Sequence, residues 1–238
     1  MWLLAPEIAK QAVAGQFISL YCSDSDKLLP RPISLCEIDR EQGLLRLVFR
    51  VVGFGTDEFS HRNPGDEIKV LGPLGNGFPL EEGAEGKNSI LIGGGIGIPP
   101  MLQLAKELKG NVTVVVGYRN ADTFLLKELT KAADRVVVAT EDGSLGTKGN
   151  VIDAIKNEKL NADIIYACGP TPMLRALKNY AEENNMVCYI SMEERMACGI
   201  GACLACVCKS RDKDAHSNVN NKRICKEGPV FNAKEVEL

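Results

Sequence analysis

The sequence predicts a small antiparallel β-barrel or sandwich, then a doubly wound parallel α/β sheet, closed by a short cysteine-bearing tail. Three observations predict it. Over residues 1–86, short β-type runs (Gln16 to Tyr21, Leu44 to Val52, Glu67 to Leu71) alternate with Gly, Pro, Asn and Asp, the spacing of an antiparallel domain. Over 87–191 the rhythm becomes strand then helix, five times over. The strands are Ile90 to Ile92, Val112 to Val116, Arg135 to Ala139, Asp163 to Cys168 and Val187 to Ser191. Each is a near-continuous apolar run, as strands covered on both faces require. Helical spacing such as Met101, Leu102, Leu104, Ala105 and Leu108, or Met173, Leu174, Leu177 and Tyr180, fills the gaps. Over 192–238 both patterns stop, and the cysteines gather on loop-like sequence.

The chain has 238 residues, 45% of them hydrophobic, which is enough for a core without a disulfide scaffold. Its net charge of −3, with no strongly basic stretch, argues against a nucleic-acid partner. The apolar start Trp2 to Ala5 stops at Pro6, too short for a secretory leader, and no run approaches the ~20 apolar residues of a membrane span. Nine cysteines, four of them within residues 198–208, read as metal or redox chemistry in the reducing cytoplasm.

The sharpest motif is Cys198, Cys203 and Cys206 with Cys225 nineteen positions on: C-x4-C-x2-C…C, the spacing by which four thiolates wrap a plant-type [2Fe–2S] cluster. Gly199 and Gly201 supply the backbone freedom such a loop needs. Zinc, a Cys203/Cys206 redox pair and plain buried thiols are the competing readings. A Rieske centre is disfavoured, because the two histidines, His61 and His216, do not stand beside cysteines in the required way. Cys22, Cys36, Cys188 and Cys208 read as core thiols.

After the first parallel strand comes Gly93-Gly94-Gly95-Ile96-Gly97-Ile98-Pro99-Pro100, a G-x-G-x-x-P turn. There Gly94, Gly95 and Gly97 let the backbone approach a pyrophosphate, and Pro100 suits a first helical turn. A tight strand-to-helix turn would want the same glycines for packing alone. Cys168, Gly169 and Pro170 end a second strand, where ligands of open α/β sheets gather; a buried Cys before a turn is the competing reading. Glu141 and Asp142 end a third, where carboxylates would repel a 2′-phosphate and favour NAD over NADP. Arg119 argues weakly the other way, and a Glu-Asp-Gly stretch is also a plain turn former. In the β region, Arg31-Pro32-Ile33-Ser34 stands before a strand, and Val48-Phe49-Arg50 precedes Gly55-Thr56. An arginine can clamp a diphosphate, a serine can reach a flavin nitrogen, and a Gly-Thr turn can present N–H groups. Taken alone they read as solvated charges and turns.

In this order the motifs resemble the ferredoxin–NADP reductase superfamily. Within it the chain is similar to the family of electron-transfer subunits of dihydroorotate dehydrogenase B. The stretches Arg31 to Ser34, Gly72 to Pro79, Gly93 to Pro100, Cys168 to Leu174, Met192 to Cys203 and Cys225 to Phe231 carry the resemblance, the last two being specific to this subunit, and it covers nearly the whole chain. It implies a flavin-binding barrel holding FAD through Arg31, Pro32, Ile33, Ser34, Val48, Phe49, Arg50, Gly55 and Thr56. It implies an NAD-binding sheet, and a [2Fe–2S] subdomain on Cys198, Cys203, Cys206 and Cys225. Ser34 would lie near the flavin N5 and Cys168 near the nicotinamide C4, neither as an acid or base. The implied partner is a separate FMN-containing catalytic subunit, in a heterotetramer of two copies of each chain. Other flavin and iron–sulfur reductases (ferredoxin–NADP oxidoreductase, sulfide dehydrogenase, hydrogenase) share this build, and a zinc-stabilised nucleotide-sensing module is the non-enzymatic rival. Two departures carry expectations. Ile33 replaces the aromatic residue usual before the serine, so flavin stacking comes from elsewhere. Similar proteins place more of a first strand before Leu4, so either the barrel is incomplete or the start is misplaced.

Overall fold

The computed structural model describes residues 1–23, 27–213 and 218–238; His216 lies outside them. The N-terminal half contains β1 (Trp2–Leu4), α1 (Pro6–Gln11), β2 (Phe17–Leu20), β3 (Arg31–Asp39), β4 (Leu44–Leu47), α2 (Phe54–Ser60) and β5 (Val70–Leu74). Its strands form one antiparallel sheet in the order β1-β4-β3-β2-β5, a half-barrel with β1 and β5 at its edges. Ile18, Leu20, Leu35, Leu45, Leu47 and Phe59 fill its concave core. The first residues form a strand, since Trp2 to Leu4 pair with Arg46 to Leu44.

Arg31 to Ser34 do not precede a strand; they are its first half. Leu20 to Phe17 pair with them on one side, whereas β4 pairs with β3 only from Leu35 onward. The other edge of Arg31–Ser34 is therefore open, which is where a strand tolerates Pro32. Helices α1 and α2 were hidden in sequence by their shortness: six and seven residues are too few for a helical period to show.

The second half runs β6 (Asn88–Gly94), α3 (Pro99–Glu107), β7 (Asn111–Tyr118), α4 (Leu126–Ala132), β8 (Arg135–Thr140), β9 (Thr147–Lys148), α5 (Val151–Asn157), β10 (Ile164–Cys168), α6 (Thr171–Glu183) and β11 (Val187–Ser191). All five predicted strands form and pair in parallel. Ile90 and Ile92 of β6 pack with Val151, Ile155, Leu174 and Leu177 of α5 and α6. Leu91, between them, packs with Met101, Leu104 and Leu129 of α3 and α4. Two-sided burial is why these strands read as continuous apolar runs. The tail departs from its loop-like reading: β12 (Val207–Lys209) pairs with β13 (Asn221–Arg223), and β14 (Val230–Asn232) adds antiparallel to β11. The large sheet is thus β14-β11-β10-β6-β7-β8-β9. None of the described helices is long and apolar enough to cross a membrane.

The two halves are latched where β3 outruns β2. Beyond Leu35, β3 has no strand on its β2 side, and the buried Gln103 side chain of α3 takes that role, its Oε1 accepting the Ile38 N–H at 2.7 Å. Leaving that N–H unpaired would cost about 1–3 kcal/mol. Gln103 also donates to Glu107 at 2.9 Å, and the pairs Arg40–Glu107 and Lys106–Glu37 flank the contact. The latch fixes β3 against α3, whose first turn follows the glycine-rich loop.

Candidate functional site

The open edge of β3 forms one wall of a cavity of about 420 Å³. All nine residues assigned to flavin line it: Arg31, Pro32, Ile33 and Ser34 from β3, Val48, Phe49 and Arg50 after β4, and Gly55 and Thr56 at the start of α2. Arg31 lies across Gly55, where an added Cβ would stand 2.5 Å from its Nε. The guanidinium is held from behind by the Leu29 carbonyl, leaving its other donors for an anion. The Thr56 hydroxyl is engaged in its own turn, accepting from the Val52 N–H at 3.0 Å and donating to the Gly53 carbonyl at 2.9 Å. It shapes the turn, which brings the first residues of α2, Phe54 to Thr56, to the cavity wall. Phe17, Phe49 and Phe54 line the same space and supply the aromatic surface that Ile33 does not. This apolar, aromatic cavity with a guanidinium at one end fits FAD. Sequence reading missed Phe17 and Phe54, which reach it from β2 and α2.

A second cavity, about 740 Å³, opens over the carboxyl ends of β6, β7, β8 and β10. The chain leaves β6 for β7 and β8, then returns to the other side of β6 as β10. The crevice therefore lies at the topological switch point, where nucleotides bind in such sheets. Gly94, Gly95, Gly169, Pro170 and Glu141 line it, with Arg119 and Asn120. Gly95, at φ +54, faces open space with Arg50 as its nearest neighbour, so its backbone is bare to an incoming diphosphate.

Four predicted residues are placed otherwise. Gly97 packs against the Cys168 carbonyl and leaves no room for a Cβ, the packing role a tight turn requires. Pro100 is buried in the first turn of α3. Asp142 accepts from the Ser144 N–H and hydroxyl, at 2.9 and 2.6 Å, as a turn former. Cys168 is wholly buried, and that burial pushes its thiol up to about 12, with Glu193 adding to the shift and a Ser191 hydrogen bond opposing it. It is a neutral thiol behind the cavity wall, with no capacity for acid–base work near neutral pH. The two cavities share Arg50, Ile96 and Glu193, so they form one continuous cleft.

The four motif cysteines stand on one loop system beside this cleft. Cys206 and Cys225 are buried in the core that also holds Phe17, Leu74 and Ile190, while Cys198 is half-buried and Cys203 exposed. Gly199 and Gly201 have φ of +70 and +82, the left-handed turns the motif called for. Backbone N–H groups point at the sulfurs: Gly201 to Cys225 Sγ at 3.1 Å, Ala202 to Cys198 Sγ at 3.2 Å, and Cys225 to Cys206 Sγ at 3.4 Å. Burial raises the Cys198 thiol, but N–H donation from Ile200, Cys203 and Ala202 outweighs it and lowers the thiol to about 6. Burial pushes Cys225 up, and neighbouring Cys206 reinforces the shift. A [2Fe–2S] cluster needs two thiolates at each iron and N–H donors to sulfur, and this donor set fits it.

The half-barrel, the switch-point cleft and the thiolate loop define an oxidoreductase subunit of the flavin- and nicotinamide-dependent reductase class. Residues 193–237 match the model of the iron–sulfur cluster binding domain of dihydroorotate dehydrogenase B, and 91–179 that of the oxidoreductase NAD-binding domain. The electron transfer subunit of dihydroorotate dehydrogenase B (NAD(+)) from Listeria monocytogenes serotype 4a is 48% identical over 240 residues, covering 99% of this chain and 92% of the relative. That of Bacillus caldolyticus is 46% identical over 228 residues, covering 94% and 86%. The chain belongs to the family of dihydroorotate dehydrogenase B electron transfer subunits. A solved NADH-dependent reduced ferredoxin–NADP oxidoreductase superimposes with a TM-score of 0.85 at 32% identity, covering 99% of this chain and 83% of that one. The Neisseria gonorrhoeae ferredoxin NADP+ reductase with bound FAD and NADP, at TM-score 0.59 and 18% identity over 78% of this chain and 83% of its own, shares the fold.

Proposed function

We propose that this chain passes electrons from the FMN of a separate dihydroorotate-oxidising subunit, through a [2Fe–2S] cluster and FAD, to NAD+. The observation that carries the reading is the order of the three sites. The cluster loop is tied to the flavin half through Asn76, whose N–H donates to the Gly228 carbonyl at 2.6 Å and whose side chain donates to the Lys226 and Glu227 carbonyls. The flavin cavity then shares its wall with the dinucleotide crevice. FAD, when bound, supplies the means to exchange single electrons with a cluster and a hydride with NAD+.

The chain's own residues bind and orient. Arg31 and the α2 start hold the diphosphate of FAD, Ser34 lies at the flavin ring, and Gly94, Gly95, Gly169 and Pro170 receive NAD. Cys168 backs the nicotinamide end as a neutral thiol. Cys198, Cys203, Cys206 and Cys225 hold the cluster, and the exposed Ile200 and Leu204 around it form an apolar rim for the catalytic subunit. Two copies of each chain would assemble as a heterotetramer in the cytoplasm, where thiolates stay reduced. By motif the parts divide at 1–86, 87–191 and 192–238, the last adding its strand β14 to the sheet of the second.

Copurification with the catalytic subunit tests the reading. The complex is expected to reduce NAD+ with dihydroorotate under anaerobic conditions; capture of a partner without FMN, or no NADH formed, would overturn it. Nicotinamide preference has its own test. Glu141 lines the crevice and would repel a 2′-phosphate, whereas Arg119, which also lines it, would attract one. Glu141→Ala is expected to lower the NADH-over-NADPH ratio of kcat/KM by about tenfold, the removal of one like-charge contact. An unchanged ratio would assign discrimination elsewhere.

A further inference from the structure

We propose that the Ser19 hydroxyl donates a hydrogen bond to the iron–sulfur cluster and tunes its potential, a proposal that rests on the functional reading above. Ser19 is wholly buried, and its Oγ has no hydrogen-bond partner among the described residues. Strand β2 explains its aim. Ile18 and Leu20 face the half-barrel core, so Phe17 and Ser19 face the opposite side. On that side Phe17 lines the flavin cavity and packs in the core that holds Cys206 and Cys225. Ser19 is its neighbour toward the cluster loop: a Cβ added to Gly199 would stand 3.3 Å from the Ser19 Oγ and 3.2 Å from Leu74. Gly199 directly follows the ligand Cys198.

The chemistry follows from this placement. A buried hydroxyl without an acceptor is a standing cost to the fold, and proteins rarely keep one without use. The loop's N–H groups already serve Cys198 and Cys225, so Ser19 adds a donor from the flavin half. A donor to a cluster sulfur stabilises the more electron-rich, reduced state and raises the potential. It does so from the flavin half, so Ser19 tunes the driving force for electron exchange between the two groups.

The test uses Ser19→Ala and Ser19→Thr in the copurified complex. Ala removes the hydroxyl and little volume; Thr keeps the hydroxyl. Ser19→Ala is expected to disfavour cluster reduction about tenfold, a midpoint about 59 mV more negative for one electron. One exchangeable proton coupled to the reduced cluster, seen by comparing its magnetic resonance in H2O and D2O, is expected to vanish. Iron content and the flavin midpoint are expected to stay as in the parent, and Ser19→Thr to keep the parent's cluster midpoint. An unchanged midpoint and proton coupling in Ser19→Ala, with a higher melting temperature, would show an idle hydroxyl and overturn the proposal. Equal shifts in the Ala and Thr variants would assign the effect to packing and overturn it too. If the parent complex gives no cluster signal on reduction, the functional reading itself fails first.

Discussion

Cys225→Ser is expected to strip the protein of most of its iron and to stop dihydroorotate-dependent reduction of NAD+. NADH oxidation by an artificial dye, which needs only the flavin, is expected to persist. Cys225 is 2% exposed and packs with Cys206 beside the fully buried Ile224. A serine hydroxyl is a poor iron ligand at neutral pH, because ligation requires the deprotonated group. It also leaves a polar group in an apolar core, costing about 1–3 kcal/mol. Iron per chain is expected to fall at least about tenfold, as for loss of a metal-binding interaction. Cys203→Ser is expected to lose iron similarly with less loss of stability, since Cys203 is exposed. Iron assays, visible absorption and thermal melts on both variants check this, and full iron in either would remove that cysteine from the ligand set.

Arg31→Ala is expected to weaken FAD binding by on the order of 100-fold, about 3 kcal/mol, in the range for truncating one partner of a hydrogen-bonded charge pair. The reason is geometric as well as electrostatic. Arg31 is poised by the Leu29 carbonyl behind it and the bare Gly55 backbone beneath it. Gly55→Val leaves the charge in place but puts a Cβ 2.5 Å from Arg31 Nε, so it is expected to weaken FAD binding in the same direction. The ratio of flavin to protein after dialysis, and a titration of the flavin-free protein with FAD, measure both. Unaltered affinity in both variants would place the diphosphate elsewhere in the cavity.

Legibility in the sequence followed the range of the interaction. The five parallel strands could be read because helices on both faces make each one apolar throughout. Short α1 and α2 and the tail strand β14 could not, because β14 exists only through its pairing with β11. At the site, the nine residues that the motifs singled out line one cavity, and the loop glycines Gly199 and Gly201 have positive φ. The three glycines of the dinucleotide turn looked alike in sequence, yet Gly95 is open, Gly94 lies under Met173 and Gly97 packs on Cys168.

By itself the sequence determined the α/β half, the cysteine set and the motif order, because strand periodicity, ligand spacing and turn chemistry are local properties of a chain. The tertiary structure alone decided that Arg31–Ser34 is an open strand edge, that Cys168 stands behind the wall, and that Ser19 faces the cluster loop. It also set the two halves against each other, through the Gln103–Ile38 bond between residues 65 positions apart. Such facts depend on which distant surfaces meet, and only burial, register and packing in the finished fold supply them.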